Sequence, residues 1–220
     1  MTMGDTEARA ARDAVVAGYR AVAAAGMMHG SSGNVSVRAG DGMLITPSGI
    51  DVARLTADVL VEMALDGGVR GAGLPSSEWR MHAGIYLRHP EAHAVVHTHA
   101  DACVALACLR RDLPAFHYMV AGFGGDDVRC APYAPFGSAR LAELAADAMA
   151  GRSACLLANH GMLARGASVA AAVAATLRLE TLCRQYLLAL QAGTPVLLDA
   201  GEMRAVHERY ASYGRGAMPA

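Results

Sequence analysis

His97, Thr98 and His99 close a short apolar run, Ala94-Val95-Val96, that reads as a core strand. Strand side chains alternate between faces, so residues i and i+2 share one face, and both imidazoles can reach one metal ion. Nine histidines among 220 residues would give roughly 0.4 such pairs by chance, so the pair alone carries little. Its place at the end of an apolar strand carries more, because a buried imidazole needs a polar partner. His160 is a third candidate, standing between Asn159 and Gly161 just past a second apolar strand, Ala154 to Ala158. Three neutral imidazoles with one position left open are the donor set of catalytic rather than structural zinc. His82, His89 and His93 are further candidates, although their spacing suits a helix face or a loop. No cysteine pairs with the histidines in sequence.

Upstream, Pro75-Ser76-Ser77-Glu78 opens a helical pattern. Serine is a favoured N-cap, and a carboxylate in the first turn suits the helix dipole. The same amides and hydroxyls can also cradle a phosphate. Two other turns, Ser32-Gly33-Asn34 and Thr46-Pro47-Ser48-Gly49, have matching chemistry; the three either converge on one anion or are only turns. If the helix packs back on the histidine strand, Glu78 stands beside an open metal as a general acid/base. Otherwise it is a helix-start charge.

The elements that must hold these residues are legible in outline. Thr6 to about Met28 is helical by spacing and is broken by Gly26 and Gly30. Asn34 to Arg38 alternates as a strand, Asp41-Gly42 reads as a hairpin turn, and Met43 to Thr46 as the return strand. Val59 to Met63 reads as a third strand. Ser77 to His89 is a helix with Trp79, His82, Ile85 and Tyr86 on one face; Ala92 to Thr98 is a strand, and Asp101 to Leu109 a short helix. Arg110 to Tyr133 is irregular, and a loop that long inside a domain is more often functional than idle. Gly137 to Ala150 is helical. Ser168 caps a long helix whose inward positions read as Val169, Val173, Leu177, Cys183, Tyr186, Leu187 and Leu190, with Gly193 as its stop. A last helix spans roughly Ala200 to Tyr213. Hairpin-joined strands with helices interspersed predict a single α/β or α+β domain around a mainly antiparallel sheet.

Composition bounds the function. The chain is 54% hydrophobic and 18% charged with a formal net charge of −1 and a pI near 6.7. That is a globular composition with no basic field for nucleic acid, so any bound anion must be held locally. Five scattered cysteines without a C-x-x-C pair fit a reducing compartment. The N-terminus does not read as a signal peptide, and no apolar run reaches the roughly 18–20 residues of a membrane span. The expectation is a cytoplasmic protein without a membrane partner.

Taken jointly, SGNVSVR at 32–38, GMLITPSGID at 42–51, LPSSEWRMH at 74–82, AVVHTHA at 94–100, PAFHYMVA at 114–121, CAPYAPFGS at 130–138 and NHGML at 159–163 make a pattern that resembles the class II aldolase family over nearly the whole length. That family is typified by L-fuculose-1-phosphate aldolase and also includes L-ribulose-5-phosphate 4-epimerase and the adducin head domain. The resemblance implies a three-layer αβα domain over residues 1–220, ordered roughly over 5–213 with a tail at 214–220. It implies one zinc ion per subunit on His97, His99 and His160, with Glu78 as catalytic acid/base that also touches the metal. Gly33, Asn34, Ser48, Gly49, Ser76 and Ser77 are the implied phosphate site. Tyr118 is the implied proton donor or acceptor at the aldehyde oxygen, and Tyr213 a second tyrosine, both acting in a neighbour's site within a homotetramer. The implied reaction is reversible cleavage of a 1-phosphoketose, of the L-fuculose or 5-deoxypentulose type, to dihydroxyacetone phosphate and a short aldehyde. A 4-epimerase, which carries aspartate where this chain has Glu78, and a non-catalytic adducin-like module are the alternatives. The chain departs from the fuculose enzyme at Thr98 and Asn159, and is less alike at 122–129 and after Tyr213, the regions that would meet the aldehyde end.

Overall fold

A computed structural model describes residues 5–212; Tyr213 and the expected tail lie outside the described residues. The central strands are β1 (Asn34–Ala39), β2 (Gly42–Ile45), β3 (Val61–Ala64), β4 (Val69–Arg70), β5 (Ala94–Thr98), β6 (Cys130–Ala131), β7 (Ala154–Leu157) and β8 (Gly161–Gly166). They form one sheet in the order β4-β3-β2-β1-β5-β8-β7-β6. Every neighbouring pair is antiparallel except β6 and β7, which run parallel. Helices α1 (Asp5–Ala24), α3 (Asp101–Cys108) and α5 (Val169–Ala192) cover one face, and α2 (Trp79–Arg88) and α4 (Ala139–Ala148) the other. The last helix, α6 (Ala200–Ser212), packs on a 3-10 segment, Tyr118–Phe123. This is the expected αβα architecture. Among the described residues no helix is long and apolar enough to cross a membrane.

The central strand is buried on both sides, which is why it reads as a continuous apolar run. Ala94 and Val96 join Tyr19, Leu106 and Leu182 in one core, while Val95 joins Met81, Ile85 and Leu163 in the other. Each fully buried Val or Leu side chain contributes about 1.5–3 kcal/mol. His97 is in phase with Val95, so its ring turns toward α2, and Asn34 pairs with it across β1.

Several boundaries differ from expectation. Val59 belongs to a 3-10 turn, Ala57–Val59, and the third strand starts at Val61. Helix α1 ends at Ala24 rather than Met28. The N-cap of α2 is Glu78, not a serine; Ser76 Oγ instead accepts the Glu78 N–H at 3.3 Å. Strand β8 was not anticipated. Its sequence, GMLARG, has no alternation because both faces of the strand are covered.

On α5, Leu177 is 37% exposed, and the buried stripe passes instead through Val173, Thr176, Leu179, Glu180 and Cys183. Glu180 is the informative member. Its carboxylate accepts the N–H groups of Ala102 (3.1 Å) and Cys103 (3.0 Å) at the start of α3, whose own N-cap, Ala100, has no side-chain bond to offer. It also accepts from Arg184 at 3.0 Å, an i,i+4 pair on the helix. Glu180→Ala leaves two buried amides without an acceptor. We expect a destabilisation of about 1–3 kcal/mol, read as a lower urea midpoint at unchanged slope. A midpoint equal to wild type contradicts this cap.

Candidate metal centre

The sheet topology brings the chemistry to one end. Strand β5 pairs antiparallel with β8, so the turn that starts β8 lies beside the end of β5, and His160 in that turn meets His97 and His99. The turn needs a left-handed backbone at Asn159 (φ 55°), which asparagine tolerates. Arg110 Nε holds the Asn159 side chain by donating to Oδ1 at 2.9 Å. Gly161 gives the close approach: a Cβ there would stand 2.5 Å from the Thr98 carbonyl oxygen and 2.9 Å from the His99 ring.

The three imidazole centroids stand 4.9, 4.9 and 5.0 Å apart. Glu78, 7% exposed, completes the group, and one donor atom from each of Glu78, His97, His99 and His160 lies within 4.8 Å of all the others. Glu78 Oε2 is 3.1 Å from His97 Nε2, and Oε1 is 3.1 Å from His160 Nε2. His97 Nδ1 is 2.9 Å from the Met162 carbonyl oxygen, which can only accept, so Nδ1 carries the hydrogen and the Nε2 lone pair faces inward. Burial, and then the neighbouring His97 and His160, push His99 down to about 4, keeping it neutral. Burial by itself raises the Glu78 carboxyl, and positive charge on His97 and His160 lowers it by more.

This set passes the test for a divalent metal. Inward nitrogen lone pairs and a carboxylate crowd one point, and buried Glu78 Oε1 has no hydrogen-bond partner. Such an atom is costly in protein and satisfied by a cation. His82, His89 and His93 stand outside the group: His82 is bonded to Ser36 and Asn34, His89 to the Ala146 carbonyl, and His93 is exposed.

Glu78, His99 and His160 of the cluster line a cleft of about 310 Å³. Gly33, Asn34, Ser48, Gly49, Ser76 and Ser77, the six expected phosphate residues, all line it. Their loops are tied together: the Ser48 N–H donates to Leu74 O (2.9 Å) and the Ser76 N–H to Thr46 O (3.1 Å). Gly33 and Gly49 both have positive φ, 83° and 66°, the backbone freedom that anion-binding turns use. Asn34 also turns its side chain to Glu78, donating from Nδ2 to Oε2 at 3.2 Å.

Sequence reasoning assigned no role to Ser31, Tyr133 or Phe136, which also line the cleft; Phe136 is 73% exposed. The available signal was two aromatic residues beside Pro132 and Pro135 in a segment without regular structure. Tyr118, 53% exposed, is not among the cleft-lining residues and stacks on His117 at 4.8 Å. Tyr213 lies outside the described residues.

Residues 13–187 match the family described as Class II Aldolase and Adducin N-terminal domain. The chain belongs to the class II aldolase and adducin family. Within it, the chain is 48% identical over 208 residues to a 5-methylthioribulose-1-phosphate/5-deoxyribulose-1-phosphate aldolase of Rhodospirillum rubrum, covering 94% of each. It is 44% identical over 191 residues to an L-fuculose phosphate aldolase of Escherichia coli, covering 86% of this chain and 88% of the relative. A solved L-fuculose 1-phosphate aldolase superposes with a TM-score of 0.89 at 37% identity, covering 96% of this chain and 98% of the other. The fold is therefore that of class II aldolases, and a Glu/His cluster able to hold a metal stands in it.

Proposed function

We propose that this class II aldolase-family chain is a zinc-dependent lyase that reversibly cleaves a 1-phosphoketose to dihydroxyacetone phosphate and a short aldehyde. The observation that carries the reading is the meeting of Glu78 with three imidazoles beside a cleft that serine- and glycine-bearing turns also line. One zinc per subunit would be held by His97, His99 and His160, with Glu78 in reach. When bound, it supplies Lewis-acid polarisation of the ketose carbonyl.

The residues of the chain do the rest. The loops at Gly33-Asn34, Ser48-Gly49 and Ser76-Ser77 hold the phosphate and so orient the ketose, which lowers the barrier by fixing geometry away from the reacting bond. Tyr118 of a neighbouring copy takes the proton from the hydroxyl on carbon 4. The bond between carbons 3 and 4 breaks and its electron pair stays with the dihydroxyacetone phosphate half; Glu78, protonated when substrate is bound, gives its proton to carbon 3, and the proton taken by Tyr118 returns to Glu78 through solvent, restoring both groups. Tyr213 acts from the same neighbour. The exposure of Tyr118 outside its own cleft fits this division between subunits of a homotetramer. We place the enzyme in the cytoplasm, in keeping with five free thiols.

The aldehyde end is read from the exposed aromatic rings of Tyr133 and Phe136, which line the cleft. They suit a deoxygenated tail, as in 5-deoxypentulose 1-phosphates or the methyl end of L-fuculose 1-phosphate. The test is turnover of L-fuculose 1-phosphate, 5-deoxyribulose 1-phosphate, 5-methylthioribulose 1-phosphate and L-ribulose 5-phosphate by the zinc-loaded protein. We expect dihydroxyacetone phosphate from at least one of the first three. Epimerisation of the fourth without cleavage would favour the epimerase, and no turnover of any would favour an interaction module.

A further inference from the structure

Beside Glu78, the cleft-lining Asn34 leads into a buried polar group, the rest of which the proposed reaction does not use. Asn34 and Ser36 come from β1, and His82 and Tyr86 from α2; none is more than 3% exposed. Burying four polar side chains together is costly unless every donor finds an acceptor, and here the pairing has a single consistent direction. The Glu78 carboxylate only accepts, so Asn34 presents Nδ2 to Oε2 at 3.2 Å. That turns Asn34 Oδ1, also acceptor only, toward His82 Nε2, which must carry a hydrogen. A neutral imidazole protonated there accepts at Nδ1. Ser36 Oγ therefore donates to Nδ1 at 2.6 Å, and its oxygen accepts from the Tyr86 hydroxyl at 2.8 Å.

We propose that His82 is a positioning residue for Glu78: held as the Nε2–H tautomer by Ser36 and Tyr86, it turns the Asn34 amide so that its nitrogen, not its oxygen, meets the Glu78 carboxylate. Without the His82 donor, the amide can rotate and set Oδ1 against Oε2. Two acceptors then face each other, and Glu78 leaves the place from which it reaches the reacting carbon. Full burial keeps His82 neutral, and burial raises the Tyr86 phenol, so it stays a donor. The same arrangement assigns Asn34 a second task beside the phosphate one, since Nδ2 carries two hydrogens and only one is spent on Glu78. The catalytic consequence rests on the aldolase reading above; the hydrogen-bond direction does not.

Long-range 1H–15N NMR spectra of the metal-free protein read the direction itself, and the Nε2–H pattern is expected for His82. An Nδ1–H pattern overturns the proposal whatever the enzyme does. Kinetics read the consequence. His82→Asn keeps an amide near Ser36 but offers nothing to Asn34, and we expect kcat to fall roughly 10–100-fold with KM and metal content near wild type. His82→Gln places an amide N–H near the former Nε2 and is expected to recover kcat to within about threefold. Equal kcat in the two variants, high or low, overturns the positioning role. If His82→Asn does not fold, Ser36→Ala serves: loss of its donated hydrogen bond is expected to mix the two tautomers in the same spectra, and an unchanged spectrum counts against the chain. Absence of aldolase turnover in the unmodified protein defeats the functional reading alone, leaving the NMR result to decide the hydrogen bonds.

Discussion

Glu78→Gln is expected to keep the fold and the metal while lowering kcat by roughly 10²–10⁴-fold, the range for loss of a positioned general acid/base. The change is isosteric, and the three imidazoles that would carry the metal are untouched. Glutamine cannot take and return a proton. It also presents one amide nitrogen where the carboxylate offered two acceptors, so either the contact from Asn34 Nδ2 at 3.2 Å or the approach to His97 and His160, both at 3.1 Å, is degraded. Metal content by elemental analysis, circular dichroism and steady-state turnover on the substrate found active separate these effects. Full activity in this variant would remove Glu78 from the mechanism, and loss of metal together with activity would make it chiefly a ligand.

The second large effect is expected at His160. His160→Ala should abolish stoichiometric binding of zinc or cobalt and, with it, turnover, while the thermal midpoint of the metal-free protein changes little. Without His160, His97 and His99 have only Glu78, the carboxylate the reaction needs for proton transfer, to complete the three protein ligands of a catalytic zinc site. The third imidazole comes from a turn 61 positions further along the chain from His99, so this variant tests the tertiary convergence rather than the local pattern. Isothermal titration with the metal ion is the measurement, and His93→Ala, an exposed histidine outside the cluster, is the control that should bind as wild type. Wild-type affinity in His160→Ala would show that the cluster does not act as one site.

Local chemistry was readable where the chain announces it. The alternation of β1 and its return strand, the serine cap and glycine stop of α5, and the shared face of His97 and His99 depend on residue types and short spacing, and the structure agrees with each. Elements whose burial is decided by distant neighbours were read less well. Strand β8 has no period to detect because β5 and β7 flank it and helices cover both faces. Leu177 reads as inward by spacing yet lies on the open side of α5, while Glu180, absent from the inward positions read from the sequence, is buried because the amides opening α3 need an acceptor. His82 illustrates the limit best: a histidine on a helix face is equally compatible with a ligand, a core residue or a link in a network, and only the packing of α2 against β1 distinguishes them.

By itself, then, the amino-acid order determined the donor inventory: three histidines at strand ends, a carboxylate opening a helix, and three serine- and glycine-bearing turns, each set by side-chain chemistry and backbone preference within a few residues. Which of these stand together was decided by the tertiary structure alone. The antiparallel pairing of β5 with β8 lays His160 against His97 and His99, and the seating of α2 on β1 and β5 presses Glu78 into that group. Both are long-range pairings selected by burial of the two cores, a property of the whole chain that no local stretch encodes.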